Sequence, residues 1–147
     1  SLEAGAVEIA ALPSDWPNGQ FANFAGEIAF VGYTLEPRSL VGGETFTATL
    51  YWQVLTEPRH DYAIFAQVLD AEYRVWGSYD GGGVAWTPGG VVTVTRQITL
   101  LPDTPPGSYP LQVGLFQSET GRLPVVAEDG HYLDERVLLG PISVQGR

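Results

Sequence analysis

The chain has 147 residues and contains no cysteine and no methionine. Without cysteine there is no disulfide framework and no thiolate to act as a nucleophile. The redox compartment therefore stays open, although the absence agrees with an exported bacterial domain. With no methionine and a serine at position 1, the chain is expected to start after a removed segment, as a piece of something longer. Histidine is scarce too: only His60 and His131 occur, which excludes a zinc site needing three or more His or Cys ligands. Seven basic residues face 17 acidic ones, for a net charge of −10. Phosphate binding needs a basic footprint, so nucleic acid is ruled against as a partner and an anionic membrane surface is disfavoured. The acidity reads as a solubility device. No run of 18 apolar residues is present to span or insert into a bilayer, and no leader-peptide pattern is found.

Glycine (18) and proline (11) are plentiful, and they cluster at 13–19, 36–43, 80–90, 102–107 and 119–124. The stretches between are β-branched and aromatic, the punctuation of an all-β chain. Glu44–Leu55 is the clearest strand: Phe46, Ala48, Leu50, Trp52 and Val54 share one face, Thr45, Thr47, Thr49, Tyr51 and Gln53 the other. Such alternation marks a half-buried strand, and it places Trp52 in the core. Asp61–Asp70 is apolar on both faces, as suits a covered central strand. Val91–Leu101 alternates except that Arg96 falls on the inward face, a defect that a bulge or an edge position would relieve. Further strands are expected at Ile28–Leu35, Tyr73–Tyr79, Ser108–Phe116 and Arg136–Val144. Residues 2–12 read equally as a short helix or an edge strand, and Gly81-Gly82-Gly83 reads as a turn.

Strands at 8–12-residue intervals without helical crossovers predict an all-β fold. The expected form is an immunoglobulin- or fibronectin-III-like antiparallel β-sandwich, Greek key, of about seven to nine strands. A chain of this length is one domain that buries roughly 70% of its unfolded surface and needs no metal or disulfide to fold. The sandwich is placed at 24–147, with 1–23 as an N-terminal extension or edge segment. Pro105-Pro106-Gly107-Ser108-Tyr109 leads into the alternating Leu111, Val113 and Leu115. That pattern resembles a tyrosine corner, whose hydroxyl bonds back to the preceding loop; the alternative is an ordinary core tyrosine.

A series of motifs runs through this pattern: Phe24-Ala25-Gly26-Glu27-Ile28, Gly43-Glu44 to Trp52, Asp61-Tyr62 to Asp70 and Trp86-Thr87-Pro88-Gly89. It continues with Pro106-Gly107-Ser108-Tyr109 to Phe116 and Gly121-Arg122-Leu123-Pro124-Val125. In order and spacing the series resembles the soluble β-sandwich at the C-terminus of many bacterial polytopic glycosyltransferases similar to the dolichyl-phosphate-mannose protein mannosyltransferases. The resemblance implies a non-catalytic accessory domain outside the cytoplasm; Trp52, Tyr109 and Arg122 are read as structural residues of the sandwich. It implies the membrane portion of the same chain as a partner, and it brings no catalytic residue. The stretch between Asp80 and Trp86 departs from the family, being only Gly81–Ala85 where a longer proline-containing loop is usual. No ligand role of that loop is therefore transferred.

A direct search for chemistry finds little. No G-x-S-x-G elbow and no phosphate-cradling G-x-x-x-x-G-K motif occurs, and no cofactor is expected. His60, in Glu57-Pro58-Arg59-His60-Asp61, and His131 both read as solvated loop residues. The carboxylates lie mostly in turns, where aspartate serves the backbone. The Glu128, Asp129, Asp134 and Glu135 cluster could hold calcium but lacks the regular spacing of a calcium loop. Aromatic residues offer the one candidate ligand surface: Trp76, Trp86, Tyr73 and Tyr79, with Asp80, could form a platform for a glycan. A regular strand would place Trp76 on the face opposite Tyr73 and Tyr79. The preferred competing reading packs Trp76 into the sandwich and lets Trp86 close a loop over its open end. The expectation is a monomeric, extracytoplasmic accessory module, with a carbohydrate-binding module or a cell-surface adhesion module as alternatives.

Overall fold

The computed structural model describes residues 16–119 and 121–146, and the regular structure among them is entirely β. Seven strands are long: β2 (Ile28–Glu36), β4 (Thr45–Val54), β5 (Ala63–Leu69), β6 (Val75–Gly83), β7 (Val91–Thr99), β8 (Gly107–Gln117) and β12 (Val137–Gln145). These coincide, within a few residues, with the stretches whose alternation predicts strands, because each has a face to bury. Five short strands accompany them: β1 (Ala22–Phe24), β3 (Ser39–Val41), β9 (Gly121–Arg122), β10 (Val125–Val126) and β11 (Tyr132–Asp134). The expected segment at 2–12 lies outside the described residues.

One sheet has the order β11-β10-β1-β2-β4-β7 and the other β3-β12-β8-β5-β6, with β9 attached to β8. Pairing is antiparallel except between β3 and β12, which run parallel. Among the long strands the chain changes sheet at β4–β5, β6–β7 and β7–β8, so the layers are interleaved in sequence. Their inner faces meet in one core, in which Phe24, Phe30, Phe46, Trp52, Ile64 and Leu111 are fully buried or nearly so. Trp52 sits at its aromatic centre, with ring centroids 5.1 Å from Phe30, 5.7 Å from Phe24 and 5.8 Å from Trp86. Truncating a side chain of this size in such a core removes about 3–5 kcal/mol of stability.

Arg96 does fall on the inward face, opposite Ala48 in an unbroken β4–β7 register. The edge position of β7 relieves it, not a bulge. Its guanidinium carbon stands 4.8 Å from the Tyr79 ring centroid, where β6 ends the other sheet. The two edges close on each other there: Leu101 donates its N–H to the Trp76 carbonyl at 2.8 Å. A methyl group at Gly77 would stand 3.1 Å from the Ile98 side chain, so a residue without a side chain permits this approach.

At the start of β8, Tyr109 donates its hydroxyl to the Pro105 carbonyl at 2.6 Å, the bond of a tyrosine corner. Among the described residues, the second face of β5 is covered by side chains. Phe65 lies over Gly114 so closely that a Cβ there would come within 2.5 Å of its ring. The Arg122 guanidinium then caps Phe65 at 4.1 Å.

Three local expectations need correction. Gly81–Gly83 is not a turn but the end of β6, where Gly83 pairs with Ala63; strand pairing overrides the turn preference of glycine. Tyr73 is not in the strand. It belongs to the β5–β6 turn with φ 65°, and its N–H donates to the Asp70 carbonyl at 3.0 Å. β6 is also irregular: Gly77 pairs with Val68 but Val75 with Leu69, which leaves Trp76 as an extra residue. Such an insertion breaks strict alternation, and Trp76 and Tyr79 both pack partly against the core.

Candidate functional site

The end of the sandwich where β4 gives way to β5 is organised by a buried carboxylate. Ala25 (φ 58°) and Gly26 (φ 75°) turn the chain tightly between β1 and β2, and the Asn23 side chain accepts the Gly26 N–H at 2.8 Å. The next residue, Glu27, is only 8% exposed. Its Oε1 accepts the Arg59 backbone N–H and the Tyr62 hydroxyl, each at 2.9 Å. Its carbonyl accepts the N–H groups of Leu55 and Thr56 at 2.7 and 3.3 Å. One residue thus pins the whole β4–β5 loop to the frame. The Tyr62 phenol is pushed up to about 12 by burial first, then by its bond to Glu27 and by that charge, against the opposing Arg59.

Trp86, in the β6–β7 loop, meets this pinned loop from the other side. Its indole N–H donates to the Tyr62 carbonyl at 3.0 Å, and its ring meets Trp52 at an interplanar angle of 83°. Between the two loops lies an open cleft of about 570 Å³ whose lining includes Glu57, Arg59, His60, Asp61 and Trp86. The four polar residues are exposed and Trp86 is half-buried. His60 is further steadied by edge-on packing against the Tyr62 ring, 6.0 Å away.

The residues singled out as a glycan platform are not brought together. Trp86 belongs to this cleft, whereas Trp76 stands near the start of β6, roughly 25 Å of strand away. There its N–H donates to Asp70 Oδ2 at 3.0 Å, and Arg74 lies over its ring at 5.8 Å. Asp70 also accepts the N–H groups of Glu72 and Arg74, so its carboxyl is held below the usual range, chiefly by Trp76. Tyr73 sits on that same turn, 71% exposed. Tyr79 lies midway along β6 under Arg96, and the backbone of Asp80 pairs opposite Phe65 while its side chain is outside the described set. Trp52 and Tyr109 are buried in the frame, and Arg122 rests on Phe65.

His131 and Asp129 pair with each other across a turn, and Asp129 is held below its ordinary value chiefly by the His131 N–H. No group of three or more His, Cys, Asp or Glu among the described residues is placed to hold a metal ion. Sequence reasoning missed Glu27 altogether, since a glutamate after Ala-Gly reads as one more turn residue. Arg59, His60 and Asp61 likewise read in the sequence as an ordinary turn. Compared with known proteins, no protein-family model matches the chain and no curated protein matches it.

Proposed function

We propose that this chain is a non-catalytic, extracytoplasmic accessory module of a bacterial membrane-bound glycosyltransferase-like protein, which works by holding a partner or ligand. The observation that carries the reading is the engagement of Glu27. This buried acid accepts the Arg59 N–H and the Tyr62 hydroxyl at its Oε1, so it serves the frame instead of standing free as an acid or base. The motif series that ends at Gly121–Val125 supports the attachment to such a protein. The membrane portion of the same chain is then the first partner.

Sequencing the gene upstream of Ser1 tests the attachment. Several apolar spans of about 20 residues are expected there. A reading frame without them overturns this assignment. Tandem copies of the sandwich in place of membrane spans would instead identify a cell-surface adhesion block.

A further inference from the structure

We infer that the cleft beside Trp86 is a binding site for a short neutral oligosaccharide. The inference rests on reading the chain as a binding module, but not on its attachment to a glycosyltransferase.

A sugar presents an apolar face of C–H groups and a rim of hydroxyls that both donate and accept. Its recognition calls for a fixed aromatic plate beside mixed hydrogen-bonding side chains. The cleft has both. Trp86 is locked by its bond to the Tyr62 carbonyl and by edge contact with Trp52, so little freedom remains to be lost on binding. Arg59 and His60 supply donors, and Glu57 and Asp61 supply acceptors. The loop that bears these four residues is tied down from behind by Glu27, which preforms the wall.

Charge narrows the ligand class. Two carboxylates, Glu57 and Asp61, and one guanidinium, Arg59, line the cleft, leaving a single negative charge in excess. In a molecule of net charge −10, that excess disfavours a phosphate, and one charge among four polar side chains gives little hold on a polycation. The volume of about 570 Å³ falls within the range of small-ligand sites, so it suits a short oligosaccharide and not a polymer face.

The test is an NMR and tryptophan-fluorescence titration of the whole chain with maltotriose, mannotriose, cellotriose and tri-N-acetylchitotriose. At least one should shift the Trp86 indole N–H saturably, with a dissociation constant in the millimolar range or tighter. His60→Ala and Asp61→Ala, both on exposed side chains, should weaken binding about tenfold together without moving the melting temperature. Trp86→Phe should retain part of the affinity. Trp76→Ala, at the far end of β6, should leave it unchanged. The inference is overturned if none of the four sugars binds at about 10 mM, if binding survives the His60 and Asp61 changes, or if Trp76→Ala abolishes it. Tighter binding of a uronic-acid or glucosamine trimer would overturn neutrality as the basis of recognition. Binding by a protein whose gene lacks upstream membrane spans would refute the attachment and leave this site standing.

Discussion

Replacing Glu27 by glutamine removes a charge from a nearly buried position while preserving shape. Hydrogen bonds to a charged acceptor contribute about 1.5–3 kcal/mol each, against about 0.5–1.5 for neutral pairs. The two bonds at Oε1 should therefore weaken by roughly 2 kcal/mol together, partly offset because an amide is easier to bury than a carboxylate. The expected net loss is about 1 kcal/mol. Glu27→Ala goes further, since it strands the buried Tyr62 hydroxyl and the Arg59 N–H and opens a cavity. There the expectation is about 3–4 kcal/mol. Urea denaturation reads both, as a lower midpoint at unchanged slope.

A second readout isolates the carboxylate itself. In the native protein the Tyr62 phenol should titrate near 12, above its ordinary 10.0. In Glu27→Gln the charge contribution disappears and the bond weakens while burial remains, so titration should fall part of the way toward 10.0. The native fold holds the phenolic proton more tightly than the unfolded chain. Its stabilising contribution is therefore complete below pH 10 and lost progressively between pH 10 and about 12. A glutamine variant with unaltered midpoint and unaltered phenol titration would refute the view that Glu27 anchors the loop.

Three further outcomes follow from the geometry. Tyr109→Phe should lose about 1–2 kcal/mol in the same assay, because the Pro105 carbonyl loses its donor while the ring stays packed; no loss would show the corner bond to be dispensable. Gly114→Ala should cost about 1–3 kcal/mol by driving a methyl group into the Phe65 ring and toward the Glu135 carbonyl, 3.0 Å away. An unchanged melting temperature would contradict that close approach. The Trp76 indole N–H resonance should follow Asp70 with a midpoint below 3.8, and Asp70→Asn should erase the step. Because the folded carboxyl is the stronger acid, its contribution is present above the unfolded value and fades as pH falls through the folded one.

The long strands were legible because one buried face forces a period of two. In β4, Phe46 to Val54 on alternate positions could hardly mean anything else. The short strands were not, since two or three residues cannot display a period; β1, β3 and β9–β11 exist only through their neighbours in the sheets. Gly81–Gly83 misled because glycine allows a turn without requiring one, and the pairing of Gly83 with Ala63 decided the matter. Trp76 misled because one inserted residue at the β5–β6 pairing shifts every later side chain. The cleft was the least legible part. It joins residues 57–61 to residues 84–88 across two loops without periodicity, and the first of them is held by a glutamate that only the fold buries.

The mutual closure of β6 and β7 also bears on how the molecule meets copies of itself. An unprotected strand edge is a template for another chain. On this side the ends of the two sheets face each other, with Arg96 between them and the Tyr79 ring. On the opposite side the outermost strands are β3 and β11, each three residues long. Asp134 lies within β11, and Asp129 and Glu135 flank it, so a second copy laid along this strand would bring like charges together. The acidity read from composition as solubility thus acquires a location: it guards a short strand that is outermost among the described residues. That guard weakens once acid protonates those carboxylates, so light scattering should show association rising at low pH, and its absence would show the short strand alone to be sufficient protection.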